Sequence, residues 1–194
     1  MNQEGYSPKD LYFGTKGREK LVSGIDKIAS AVKSTLGPRG NTVLIESPNH
    51  THGITVTKDG VTVAKSISLI DAVENLAVRI MKEAADKTAS TAGDGTTTAI
   101  VLTEALVKSG IKNISKNNNA TEIFKEMVNV TNDIIKQLKE QSKVVNKTTL
   151  KHVATISANN DIKTGKIISE VYNKVGKNGI VTVEKSQSSD TYFE

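Results

Sequence analysis

Apolar periodicity makes this chain mainly α with small β elements (α+β). Several long stretches carry Ile, Val, Leu, Met or Ala at intervals of three and four, the repeat of one helix face. Runs of β-branched residues are short and bounded by Gly, Pro or Asn, which confines strands to a few places. The 194 residues leave room for one ordinary domain and part of another.

Residues 1–10 read as a loose lead-in, and Leu11-Tyr12-Phe13 as a short strand. Leu21, Ile25, Ile28 and Val32 then form one helical stripe. Leu36-Gly37-Pro38-Arg39-Gly40 stops that helix, because Gly suits a left-handed cap and Pro cannot continue the helix. Thr42-Val43-Leu44-Ile45 and Ile54-Thr55-Val56-Thr57 read as the strands of a hairpin, with a long tip around Pro48, Asn49 and Gly53. Lys58-Asp59-Gly60 signals a turn, followed by a short helix or strand through Lys65. A long helix starts at Asp71, with Val73, Leu76, Ala77, Ile80, Met81, Ala84, Ala85 and Thr88 as its apolar face, and ends near Ala92 and Gly93. The next helix covers about Thr97 to Ile114. After a turn at Asn117-Asn118-Asn119 comes a third long helix, with Ile123, Met127, Val130, Ile134 and Leu138 on one side.

Composition shifts near Ser142. A helix from about Lys147 to Ser157 is followed by a break at Ala158-Asn159-Asn160. A further helix carries Ile168, Val171 and Val175 and ends at Gly176. Lys177-Asn178-Gly179 then turns into a strand, Ile180-Val181-Thr182-Val183. An apolar strand with no partner nearby is a liability, so the chain is expected to have been cut short.

Composition excludes several functions. Cys is absent, so disulfides, thiolate metal sites and Cys nucleophiles are excluded. The net charge of +5 raises the question of nucleic acid. Its arginines are only Arg18, Arg39 and Arg79, whereas Lys is scattered among acids as on a solvated face. Arg forks are the favoured readers of phosphate and guanine, so no nucleic-acid partner is expected. No apolar run is long enough to span a membrane, and the first residues lack the pattern of a secretory signal. A cytoplasmic protein with no membrane partner is the expectation. His50 and His52 read as exposed loop residues and His152 as helix surface.

One segment concentrates chemistry. Gly93-Asp94-Gly95-Thr96-Thr97-Thr98 runs straight into an apolar helix. Glycines let backbone approach a phosphate closely, a helix N-terminus presents unpaired N–H donors, and a carboxylate suits Mg2+. Thr35 to Gly40 offers a second cradle. Lys58 could meet a phosphate, and Asp59 could hold the metal or orient water. Each piece alone also has a plainer reading: Gly-Asp-Gly as a turn, the Thr run as a helix cap, Lys-Asp-Gly as a surface turn. The P-loop signature is absent.

Five blocks, in order, resemble the group I chaperonin (GroEL-type) family. They are Thr35-Leu36-Gly37-Pro38-Arg39-Gly40, Thr57-Lys58-Asp59-Gly60-Val61, Ala92-Gly93-Asp94-Gly95-Thr96-Thr97-Thr98, Thr155-Ile156-Ser157-Ala158-Asn159 and Val175 to Glu184. The resemblance covers essentially the whole chain. It implies the N-terminal half of an equatorial, ATP-binding domain over residues 1–140 and the first segment of an intermediate domain over 141–194. The apical domain and the returning segments would follow.

The same resemblance assigns roles. Thr35, Leu36, Gly37 and Pro38 would line ATP, and Lys58 would lie beside its phosphates and a K+ ion. Asp94 would coordinate Mg2+, while Gly95, Thr96, Thr97 and Thr98 wrap the phosphates. Asp59 would be catalytic, helping the attacking water. Asp161 matches one half of an allosteric salt bridge. Family members are folding ATPases, with the isomerase-type task of refolding proteins. They form homo-oligomeric rings, here expected to be heptameric, and work with a cochaperonin on unfolded clients in bacterial cytoplasm, or in host cytoplasm if the source is viral. The Thr42–Thr57 hairpin would pair with a neighbour's Leu11–Phe13 strand. Hydrolysis by these residues alone is expected to be impaired, since the family's second catalytic aspartate lies beyond Glu194. The alternative is a non-hydrolysing assembly or interaction module, or a truncated accessory chaperonin.

Overall fold

The structure is a computed structural model that describes residues 10–46, 53–114, 118–176, 178–184, 187 and 191–193. The lead-in before residue 10, the hairpin tip with His50 and His52, Asn117 and Lys177 lie outside the described residues. Seven helices and two strands follow in order among those described: α1 (Gly14–Lys33), β1 (Val43–Glu46), β2 (Ile54–Thr57), α2 (Gly60–Ser66), α3 (Ala72–Ala92), α4 (Thr96–Asn113), α5 (Ala120–Gln141), α6 (Lys147–Ser157) and α7 (Ile162–Val175). The mainly helical architecture with one small hairpin is the one the periodicity leads to. Chain packing divides into two units, Met1–Val128 and Asn129–Glu194, and the division falls inside α5.

In the first unit, α1 is the central helix. Its Ile25, Ile28, Ala29 and Val32 are buried with Val63 and Ala64 of α2, Ala77, Val78, Met81 and Ala85 of α3, and Ile100 of α4. Each fully buried Ile or Val contributes on the order of 2 kcal/mol through apolar burial. Gly24 lets α1 cross α3 closely, since a β-carbon there would overlap the Glu74 backbone. Asp71 caps α3 by accepting from the N–H groups of Val73 and Glu74 at 2.9 and 3.1 Å. At the other end Gly93 closes α3 in the left-handed conformation. The buried face of α3 is narrower than its apolar pattern suggests: Leu76 and Ile80 are exposed, and Val78 is buried instead. Strands β1 and β2 pair antiparallel, from Val43 opposite Thr57 to Glu46 opposite Ile54, and among the described residues no further strand pairs with either outer edge.

The second unit is built on a helical hairpin. Asn146 and Thr149 form a reciprocal capping box at the start of α6. Asn159 and Asn160 both adopt positive φ, the tight reversal that the Ala-Asn-Asn break signals. Gly165 lets α7 press against Thr155 of α6.

Two expectations are corrected. Residues 11–13 form no strand; they lead into α1 with Phe13 extended and exposed. Residues 180–183 form no strand either, and Ile180 and Val183 are 89% and 93% exposed. A strand exists only through a hydrogen-bonded neighbour, and none is beside these segments among the described residues. Helix α5 forms as expected, but it has no buried residue: Ile123 and Met127 are half-buried, while Val130, Ile134 and Leu138 are exposed.

Candidate functional site

The bend after α1 is tied by its own backbone. Ser34 and Thr35 hydroxyls donate to the carbonyls of Ala31 and Val32 at 2.7 and 2.8 Å, closing the last helical turn. The Asn41 N–H returns to the Ser34 carbonyl at 2.7 Å, and the Gly40 N–H to the Gly37 carbonyl at 3.0 Å. Gly37 takes a φ of 79°, a left-handed conformation that disfavours a side chain. Leu36, Gly37 and Pro38 are thereby held at an exposed tip, with Thr35 half-buried behind them.

Two Asp-Gly turns open α2 and α4, and they differ. Asp59 is the N-cap of α2: Oδ1 accepts from the Val61 N–H at 3.4 Å, and Oδ2 from the Thr62 N–H at 2.9 Å and the Thr62 hydroxyl at 2.6 Å. Burial pushes the Asp59 carboxyl up, but the Thr62 and Val61 hydrogen bonds and the nearby Lys65 charge outweigh it and hold the group below its ordinary value. Asp94 instead sits outside α4, exposed, between Gly93 and Gly95 with φ of 76° and 85°. One of its oxygens accepts from the Gly95 N–H at 2.6 Å. Gly95 is the N-cap of α4 and supplies no side-chain cap, and the first turn carries no acid. The N–H groups of Thr96, Thr97 and Thr98 therefore have no partner within their own helix, an arrangement suited to an anion. Thr96 is buried, Thr97 half-buried and Thr98 exposed.

Gly60 joins these parts. A β-carbon there would overlap the Thr97 hydroxyl, lie 3.2 Å from Thr97 Cβ and lie 3.4 Å from Val32 Cγ1. The end of α1, which runs directly into Thr35, thus meets the N-termini of α2 and α4 at one point. Lys58, one residue before Asp59, is exposed beside this junction. The sequence marks Gly60 only as part of a turn and of a family block, and Thr62 not at all. Thr62, three residues after Asp59, carries the spacing of a capping partner, which is the signal that could have found it.

The donor set suits a metal held jointly with a ligand. Among the described residues no cluster of three or more His, Cys, Asp or Glu could hold an ion. One exposed carboxylate beside an uncapped helix N-terminus matches the usual magnesium mode, in which phosphate oxygens and waters complete the shell. A separate open groove of about 710 Å3 runs along α1 past Thr15, Arg18, Val22, Asp26 and Ser30 to Ile111, and it shares no residue with this set.

A sequence profile of the TCP-1/cpn60 chaperonin family matches residues 28–192, which include every residue of the junction. The chain belongs to that chaperonin family. Among its chaperonin relatives, a Chaperonin GroEL from Methanospirillum hungatei JF-1 is 43% identical over 189 residues, covering 97% of this chain and 35% of that protein. The chain therefore spans about a third of the length of the curated relative it matches. The chaperonin gp146 from the bacteriophage EL 2 (Pseudomonas aeruginosa), crystallised in the presence of ATP-BeFx, superposes with a TM-score of 0.72 at 30% identity, over 86% of this chain and 28% of that one. A group III chaperonin in the open state shares the fold, with a TM-score of 0.69 at 23% identity over 85% of this chain and 34% of that one.

Proposed function

We propose that this chain is the nucleotide-binding portion of an ATP-dependent chaperonin subunit that assists protein folding. The observation that carries the reading is the meeting of the α1 end, Asp59-Gly60 and Thr97 around one glycine. Thr35, Leu36, Gly37 and Pro38 line the nucleotide from one side, and the Gly95–Thr98 backbone and hydroxyls hold its phosphates from the other. Lys58 adds positive charge beside the phosphates, near a K+ ion. Asp94 is the protein ligand for Mg2+. Magnesium, when bound, neutralises triphosphate charge, the main requirement of phosphoryl transfer. Asp59 stays ionised and is fixed by Thr62, so it accepts a hydrogen bond from water and orients it. A carboxylate with a lowered proton affinity is a better positioner than base.

Residues 1–140 serve as the equatorial segment and 141–194 as the start of the intermediate segment. The edges of the β1–β2 hairpin, unpaired among the described residues and with Leu44, Ile54 and Val56 exposed, favour pairing with another copy in a homo-oligomeric ring of seven. A cochaperonin and unfolded proteins are the further partners, in the cytoplasm. Among the described residues no helix is long and apolar enough to cross a membrane. Amide hydrogen exchange of the full chain, with and without Mg-ATP, tests the reading. Protection concentrated at residues 34–40 and 94–98 supports it. Protection at neither segment, or along the α1 groove instead, would overturn it.

A further inference from the structure

Glu104 is a buried acid that the nucleotide reading does not use. It lies on α4 two turns beyond the Thr run and is only 5% exposed. Its carboxylate is met by Lys33, the last residue of α1, and by Lys108 at 3.2 Å. Lys108 also reaches Asp26 Oδ1 on α1 at 2.7 Å. Four charges thus stitch α1 to α4, with Asp26 and Lys33 on one helix and Glu104 and Lys108 on the other. Removing a buried carboxylate from water is costly, and paired ammonium groups offset that cost only in a narrow geometry. Burial pushes the Glu104 carboxyl up, yet Lys33 and Lys108 together hold it below its ordinary value. Net stabilisation from such a cluster is small relative to apolar residues of the same volume, and fixing register is the best-attested use of buried charged groups.

The register matters because of what lies at the helix ends. Thr35 follows Lys33 by two residues, and Glu104 belongs to the helix that starts at Thr96. We infer that the Asp26–Lys108–Glu104–Lys33 cluster is an ionic clamp that sets the position of the Leu-Gly-Pro bend relative to the N-terminus of α4. Lys33 and Glu104 are then positioning residues for the nucleotide. This assignment rests on the nucleotide reading above for its consequence, but not for its geometry.

The test uses Lys33→Met and Lys33→Arg in the full chain. Lys33 is partly exposed, so both variants are compatible with folding. Two quantities are read: amide exchange at residues 34–40 and 95–98, and affinity for a fluorescent Mg-ATP analogue. In Lys33→Met, which leaves buried Glu104 short of one ammonium, the melting temperature falls, but exchange rises more at those two segments than in α3. Affinity falls about tenfold, equivalent to ~1.4 kcal/mol. Lys33→Arg, which keeps the pair, restores both. Unchanged exchange at the two segments overturns the clamp. So does a uniform rise across α1, α3 and α4 with a lower melting temperature, which would make the lysine an ordinary stabilising residue. If the wild type binds no nucleotide but exchange changes locally as described, the clamp stands and the nucleotide reading falls.

Discussion

Lys58-Asp59-Gly60 and Gly93-Asp94-Gly95 share an Asp-Gly pair at the mouth of a helix, yet the two aspartates face different work. Asp59 bonds to its own helix through both oxygens, and Gly60 after it is buried in the first helical position. Asp94 has a glycine on each side at positive φ, stands outside its helix and leaves three threonine N–H groups without an intrahelical partner. The glycine after the aspartate decides the difference: Gly60 is the first residue of α2, whereas Gly95 takes a φ of 85° and is itself the N-cap of α4, so the Asp94 carboxylate stands outside the capping position.

The largest effect that sharpens this contrast is expected at Gly60. Gly60→Ala drives a methyl into Thr97 and should lower unfolding free energy by roughly 1–3 kcal/mol, measured by urea denaturation. Pairing it with Thr97→Ala should recover part of the loss; no recovery would mean that Thr97 is not what fills that space. Gly95→Ala tests backbone conformation rather than space, because the nearest atom to its β-position, Thr88 Cγ2 at 3.9 Å, is at ordinary contact distance. Its left-handed φ should cost roughly 1–2 kcal/mol.

Much of this was legible in the sequence, and the limits are physical. Asp71 and Gly93 bracket α3 with their own caps, and the Lys147–Ser157 reading of α6 matches its bounds, because helix ends are set by local chemistry. The α1 stripe was readable because a helix's period is written into its own residues. Residues 11–13 and 180–183 failed as strands because pairing is not a local property. The stripe on α5 has the right period, but what covers a stripe depends on distant residues. At the site, Asp94 and the Thr run stood out. The meeting at Gly60 did not, since closeness between Val32, Gly60 and Thr97 is a product of packing.

Smaller effects separate the two aspartates directly. Asp59→Ala removes an N-cap and should cost about 1 kcal/mol. Asp59→Asn should match the wild type less well at neutral pH than in acid. The folded-state value of Asp59 lies below its ordinary one, so its contribution is complete above that ordinary value and disappears as pH falls through the folded value. The gap in unfolding free energy between wild type and Asp59→Asn should therefore close below about pH 4. A gap that persists in acid would assign it to something other than the charge. Asp94→Ala should change stability least, by under about 0.5 kcal/mol, as an exposed residue outside its helix.

That small structural effect makes Asp94 the place to test the central claim. Isothermal titration of the full chain with ATP, in Mg2+ and in EDTA, should show magnesium-dependent binding in the wild type and in Asp59→Ala. In Asp94→Ala that dependence should vanish while the melting temperature is retained. Equal magnesium-dependent affinity in wild type and Asp94→Ala would contradict the account.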